Sequence, residues 1–215
     1  MGNTVITIAR SYGSGGRTLG KLLAKELGIN YYDRELIRMA SDESGINEAL
    51  FGEVDEKLKK SPLFRIVKKT YRGEIIPPES GEFVSDDNLF NYQAKVIRQL
   101  AEEESCVIIG RCADYALEER DDVLSVFIHA DLEDRIKNVA KLNELTDNKA
   151  KDLIHKTDKR RASYYNYYTN KKWGEAASYE LCLNSSELGV QGTAKAIEQY
   201  ILLKESIEKE ARNIV

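Results

Sequence analysis

The 215-residue chain has little of what would tie it to a metal centre, a disulfide framework or a nucleic acid. Its three cysteines, Cys106, Cys112 and Cys182, form no C-x-x-C pair, and their odd number among apolar neighbours predicts reduced, buried thiols. Histidine occurs only as His129 and His155, so no structural metal is expected. A formal net charge of −4 gives no broad field toward nucleic acid or an anionic membrane, and neither is expected as a partner. Basic groups can still gather locally around a bound phosphate. No internal repeat and no low-complexity segment is present, which excludes solenoids and fibrous arrays. Met1–Ile6 leads straight into a strand-like run without a basic region and apolar stretch, so no secretory signal is expected. The Gly2 myristoylation pattern also fails, because Ile6 stands where Ser or Thr is needed, and a cytoplasmic location is the expectation.

Hydrophobic content of 42% and charged content of 32% fit a folded, water-soluble protein, and the length suits one α/β domain with an insertion. Val5–Ala9 reads as a buried strand. A glycine cluster follows it, and then Leu19, Leu22, Leu23 and Leu27 recur at helical spacing until Gly28 stops the helix. Further strands are predicted at Ile29–Tyr32, Cys106–Ile109, Val123–Ile128 and Tyr179–Leu183, each separated from the next by helical pattern. Apolar stripes mark helices at Phe90, Ala94, Ile97 and Ala101, at Leu132, Ile136, Val139 and Ala140, and at Ala194, Ile197 and Ile201. Five short strands alternating with helices predict a three-layer α/β fold with a mostly parallel sheet covered on both faces. Between Gly45 and Asp87 the periodicity breaks up, and all three prolines, Pro62, Pro77 and Pro78, fall there. This stretch, about 45–87, is expected to be an insertion that covers substrate, since long excursions in compact domains tend to carry function.

The segment richest in chemistry is Ser11-Tyr12-Gly13-Ser14-Gly15-Gly16-Arg17-Thr18. It can be laid on the phosphate-loop pattern G-x-x-x-x-G-K-[ST], with Ser11 for the first glycine and Arg17 for the lysine. Small residues let consecutive backbone N–H groups face phosphate oxygens at the positive end of the following helix, and Gly13, Gly15 and Gly16 supply them. Arg17 keeps the charge of the lysine as a wider, planar fork, and Thr18 would place its hydroxyl on Mg²⁺. A dinucleotide site is the rival, since Gly13-Ser14-Gly15 begins G-x-G-x-x-G and Asp33 follows at a strand end. Thr18 occupies its third glycine position and disfavours it. A glycine-rich turn that binds nothing is the other alternative, against which the placement between a buried strand and an amphipathic helix weighs.

Taken in order, Ile6-Thr7-Ile8-Ala9-Arg10 with its Gly-Ser-Gly-Gly-Arg loop, Tyr32-Asp33-Arg34-Glu35, Ile108-Ile109-Gly110-Arg111, Phe127-Ile128-His129-Ala130, Asp134-Arg135 and Asp158-Lys159-Arg160-Arg161 resemble the cytidylate kinase-like family of P-loop nucleoside monophosphate kinases. The resemblance implies a central nucleotide loop, a monophosphate-binding insertion after the second strand and a lid, here near Lys141–Tyr168, within one kinase domain spanning 1–215. It implies ATP and Mg²⁺, with Gly13, Ser14, Gly15, Gly16, Arg17, Thr18 and Arg135 toward ATP and Thr18 toward the metal. Arg111 resembles the arginine that grips the acceptor phosphate. Arg160, Arg161 and Arg135 resemble the lid arginines that offset charge on the transferred phosphoryl group, with Arg17, Arg160 and Arg161 as the catalytic set.

Asp33 and Arg34 sit where such a fold opens toward the acceptor, and Asn91 and Gln93 could meet a base edge from the long helix. The family's magnesium-supporting Asp beside Gly-Arg is absent, since the neighbours are Ile109 and Cys112, which leaves Asp114 or Asp33 as substitutes. Tyr164, Tyr165, Tyr167, Tyr168 and Trp173 could stack on a base, although aromatics at this density more often build core or a subunit contact, which leaves a homo-oligomer open. The implied activity is ATP-dependent phosphoryl transfer to a small phosphorylated acceptor, a nucleoside monophosphate such as CMP or dCMP. The alternatives are a non-catalytic nucleotide-binding regulator and a kinase of another small metabolite.

Overall fold

Val5–Arg10 (VITIAR) forms β1, five of whose six residues are buried, as the run of apolar side chains before Arg10 requires of a strand covered on both faces. In the computed structural model, which describes residues 3–56 and 74–213, the elements that follow alternate as the sequence pattern predicts. They are α1 (Gly16–Leu27), β2 (Asn30–Tyr32), α2 (Glu35–Ser44), α3 (Glu48–Glu56), α4 (Asp86–Glu103), β3 (Cys106–Ile109), α5 (Ala113–Ala116), β4 (Val123–His129), α6 (Leu132–Asn143), α7 (Asp147–Thr169), β5 (Leu181–Asn184) and α8 (Ser185–Asn213). The five strands form one parallel sheet in the order β2-β3-β1-β4-β5.

Side chains alternate across this sheet with the period of two that strands impose. Val5, Cys106, Ile108 and Phe127 join one core with Leu36, Ala40, Phe51, Phe90 and Ile97 from α2, α3 and α4. Ile6, Ile8, Val107, Ile109, Val126 and Ile128 join the other with Leu19, Leu23, Ala194 and Ile197 from α1 and α8. The result is the predicted three-layer arrangement. Gly28 ends α1 in the left-handed conformation (φ 66°) and donates its N–H back to Ala24 and Lys25, the stop that its lack of a Cβ permits. In α8 the helical path breaks at Gly189 (φ 63°, ψ 178°).

Three expectations shift. β2 begins at Asn30 rather than Ile29, and β5 runs from Leu181 to Asn184 rather than from Tyr179. Tyr179 is buried against Phe127, with ring centroids 5.1 Å apart, from the end of a 3-10 turn at Ala176–Ser178. Its apolar partner, not a ladder, accounts for its strand-like signal. Cys106 and Cys112 are buried as expected, but Cys182 is exposed, because the edge strand β5 has a neighbour on one side only.

Part of the predicted insertion, residues 57–73 with Pro62 among them, lies outside the described residues. Its start forms α3, which touches α4 and α7. Its end is pinned to α4 by Asn88, whose amide donates to the carbonyls of Ile76 (3.0 Å) and Phe83 (2.7 Å) and whose oxygen accepts from the Ile76 N–H (2.8 Å).

Candidate active site

The carboxyl ends of β1, β2 and β3 adjoin one another in the sheet, on the side where a parallel sheet of this kind forms its ligand crevice. From β1 the chain enters the glycine loop. Gly13 (φ 86°) and Gly15 (φ 77°) are left-handed, and Gly15 caps α1. Among the described residues, the backbone N–H groups of Gly13, Gly15, Gly16, Arg17 and Thr18 have no acceptor, so five donors stand at the positive end of α1. The Ser14 hydroxyl is turned inward and donates to the Ser11 carbonyl at 2.9 Å, while Ser185 donates to the Ser14 carbonyl at 2.7 Å. Thr18 is exposed in the first turn of α1.

Helices α6 and α7 grip the opposite side of the loop, and the predicted lid at about 141–168 takes in the end of α6 and nearly all of α7. A Cβ on Gly13 would fall 2.8 Å from Val139 Cγ2 and 2.9 Å from the Arg135 carbonyl. The Asp158 carboxylate accepts from the Tyr12 N–H (2.8 Å) and pairs with Arg135, whose Nε donates to the Tyr12 carbonyl at 2.8 Å. Asn138 donates to the Gly13 carbonyl at 3.0 Å. The Arg161 guanidinium lies 5.5 Å from the Tyr12 ring centroid and donates to the Arg10 carbonyl at 2.9 Å. Tyr12 also packs into the small core of Val139, Ala150 and Ile154 between the two helices.

Across the crevice, buried Asp33 follows β2 and pairs with Arg17 (Nε to Oδ2, 2.6 Å) and more loosely with Arg10 (4.0 Å). At the end of β3, Gly110, Arg111 and Cys112 all take positive φ (70°, 60° and 51°), a left-handed turn costing a non-glycine residue about 1–2 kcal/mol. That turn brings the Arg111 guanidinium to Gln93 on α4, with Nη1 donating to Oε1 at 3.4 Å. Gln93 is almost wholly buried, and its Nε2 has no hydrogen-bond partner among the described residues. The same holds for the Nε of Arg160 on α7. Burial depresses the Arg111 pKa, and it holds Arg161 at about 10 and Arg10 at about 9 against an ordinary 12.5; the other arginines add to the fall at Arg10.

Not every candidate joins this cluster. Arg34 is exposed at the start of α2 and makes none of these contacts. Asp114, one of the two proposed metal carboxylates, accepts from the Tyr165 hydroxyl at 2.6 Å, and burial raises its pKa. Of the tyrosines of α7, Tyr165 and Tyr168 are buried in the core and Tyr164 packs against it, as the density of aromatics suggested, whereas Tyr167 is exposed. Tyr168 stacks on Phe90 with centroids 3.9 Å apart and donates to the Asp86 carbonyl at 3.0 Å. No group of three metal-ligating side chains exists among the described residues. The exposed Thr18 hydroxyl beside the free amides fits a magnesium ion that arrives with a triphosphate and keeps phosphate oxygens and waters as its other ligands.

Arg10, Tyr12 and Asp158 were not singled out by sequence reasoning as site residues. For Arg10 a signal existed, since a permanently charged residue directly after a buried apolar strand has to be accommodated by something.

A family model described as the cytidylate kinase-like family matches residues 5–187. The chain belongs to the cytidylate kinase-like family. Among its relatives is a cytidylate kinase of Sulfurisphaera tokodaii, 21% identical over 198 residues, covering 92% of this chain and 94% of that one. A crystal structure of an uncharacterized protein from Eubacterium ventriosum superposes with a TM-score of 0.68 at 27% identity, covering 93% of this chain and 98% of the other. A gluconokinase from Sinorhizobium meliloti matches with a TM-score of 0.53 at 14% identity and 97% coverage of both, which speaks to the fold alone. The α/β P-loop kinase architecture is thus shared between this cytidylate kinase-like chain and small-molecule kinases.

Proposed function

We propose that the chain transfers the γ-phosphoryl group of ATP to a small phosphorylated acceptor, a nucleoside monophosphate such as CMP or dCMP. The observation that carries this reading is the set of five N–H groups without acceptors in the glycine loop and the first turn of α1, next to Arg10 and the arginines around it. These amides hold the donor phosphates. Thr18 would help hold Mg²⁺, which when bound would supply neutralisation of phosphate charge. Arg17 reaches from the first turn of α1 toward Asp33, where it meets charge developing in the crevice. Arg111, steadied by Gln93, fits the acceptor phosphate through its planar fork, while Arg160, Arg161 and Arg135 descend from the lid helices.

An acceptor that already carries a phosphate attacks through an oxygen largely ionised at neutral pH, because its second pKa lies near about 6. No general base is then needed. The bond from the γ-phosphorus to its bridging oxygen breaks as the new bond to the acceptor oxygen forms, and the chain contributes position and positive charge. Membership of the family and the relative named cytidylate kinase support this choice of acceptor. Incubation of the purified protein with ATP, Mg²⁺ and CMP, dCMP, UMP or AMP should yield ADP with at least one of them, and no ADP above background with all four sinks the proposal.

A second reading, a nucleotide-binding regulator, is favoured by one observation: positions 11–18 contain no lysine. Tight ATP binding in calorimetry with zero turnover for every acceptor, non-nucleotide ones included, selects it. Turnover with a non-nucleotide acceptor alone selects a kinase of another metabolite.

A further inference from the structure

Arg10 ends the central strand, yet no role has been assigned to its side chain, which is only 15% exposed. It lies in a slot walled by two glycines. A Cβ on Gly16 would fall 2.7 Å from Arg10 Cβ, and a Cβ on Gly110 would fall 2.1 Å from Arg10 Nη1. Gly16 opens α1 and Gly110 begins the turn that carries Arg111, so the Arg10 guanidinium sits where the loop and the acceptor side meet.

Its surroundings are poorly matched to a structural arginine. Arg161, Arg111 and Arg17 oppose its charge, and Asp33, already paired with Arg17, is the carboxylate that supports it. Among the described residues the Arg10 head makes one loose ion pair, to Asp33 at 4.0 Å, and no hydrogen bond, while Asp33 bonds Arg17 at 2.6 Å. A buried cation held among like charges is unfavourable without a compensating anion. At neutral pH it is nonetheless protonated, its pKa being about 9.

We infer that Arg10 is a phosphate ligand: from the end of the central strand its guanidinium binds a phosphate dianion lying between the glycine loop and Arg111. This rests on the proposed kinase reading for its setting, and it supplies from β1 the fixed cation that a loop lysine supplies elsewhere. Arg10 keeps its proton and donates hydrogen bonds to phosphate oxygens. The phosphate can be the γ-phosphate of the donor or the phosphate of the acceptor.

The test compares the whole wild-type chain with Arg10→Gln and Arg10→Lys by calorimetry against pyrophosphate, a non-hydrolysable ATP analogue and CMP. Arg10→Gln should weaken pyrophosphate and at least one nucleotide by about tenfold or more, and Arg10→Lys should retain most of the affinity. A loss confined to the ATP analogue locates the donor phosphate, and one confined to CMP locates the acceptor phosphate. Without ligand, Arg10→Gln should melt no lower than the wild type, since a buried charge is relieved, whereas a structural arginine would lower the melting temperature. Unchanged affinity for all three probes overturns the inference. Should the variants fail to fold, the Arg10 Nε–H resonance of the wild type must move on addition of pyrophosphate, and a stationary signal equally overturns it. Wild-type protein that binds the ATP analogue without turnover removes the proposed reaction and leaves Arg10 as a ligand, whereas a variant at wild-type affinity removes Arg10 alone.

Discussion

Gly16 is held to glycine by a neighbour rather than by its own torsions. Its φ is not positive, yet a methyl group there would drive into the Arg10 stem at 2.7 Å. Gly28 is the reverse case, with φ 66° and nothing within 4 Å of an added Cβ. Gly16→Ala should therefore cost about 1–3 kcal/mol through overpacking and lower phosphate affinity together with it. Gly28→Ala should cost about 1–2 kcal/mol through the left-handed conformation alone and leave affinity unchanged. Denaturant unfolding alongside pyrophosphate titration separates the two, and equal effects on affinity would show that the slot is not part of a phosphate site.

The Arg10 pKa has its own consequence. With the folded value near 9 and the ordinary value 12.5, the unfolded chain binds more protons across that window. The penalty of burying this charge is complete below about pH 9 and relieved as pH climbs beyond it. Anion binding runs the other way. Pyrophosphate affinity should hold up to about pH 8 and fall as pH rises through about 9 and then about 10, where Arg161 also titrates. The groups around Arg10 in that titration are Arg161, Asp33, Arg111 and Arg17, and a flat profile from pH 7 to 10 would show that both guanidinia hold their protons throughout that range.

At the scale of elements, what the sequence made legible is what depends on neighbours in the chain. β1, β3 and β4 were readable because buried parallel strands are apolar almost throughout, and α1 because its leucine stripe ends at Gly28. β5 was misplaced because Tyr179 owes its apolar character to Phe127 and Tyr165 across the molecule. The glycine loop was legible as a loop, but its clasp was not. Tyr12 and Asp158 meet across 146 residues, and only the packing of α6 on α7 brings them together.

That clasp makes a prediction for α6 and α7. Asp158 holds both the Tyr12 N–H and Arg135, with the two side chains 21% and 12% exposed, so neither end is bathed in solvent. Asp158→Ala should cost about 1–3 kcal/mol and leave Arg135 without its carboxylate. Hydrogen exchange of amides in α6 and α7 should quicken while that of β1, β3 and β4 stays unchanged. Uniform acceleration across the sheet would mean that the pair supports the whole fold and not only the contact of these helices with the loop.

For the whole molecule, charge distribution matters more than the formal net charge. An overall −4 coexists with a crevice in which guanidinia outnumber carboxylates, so any field favourable to a polyanion is local and not a property of the whole chain. Composition gave no reason to expect a nucleic-acid partner and could not reveal this local excess, because Arg10, Arg17, Arg111 and Arg161 are scattered along the sequence and converge only in the fold. A ligand that binds the folded state at about a hundred times its Kd adds about 2.7 kcal/mol of stability. An ATP analogue with Mg²⁺ should therefore raise the melting temperature, and ADP or pyrophosphate should do so too. A melting curve indifferent to all of them would leave the crevice without a purpose in phosphate chemistry.

Cys182 offers a handle for watching that crevice. It lies on the surface of the outermost strand, while the other two thiols are sealed in the interior. A maleimide dye added to the native protein should accordingly attach once, and mass spectrometry after digestion should find it at Cys182. Three residues farther along, the Ser185 hydroxyl braces the carbonyl of Ser14 in the glycine loop. A fluorophore tethered so near that brace should brighten or dim when an ATP analogue is added, giving a real-time signal of occupancy without altering any side chain proposed to bind phosphate, and an unchanging signal at saturating analogue would count against it.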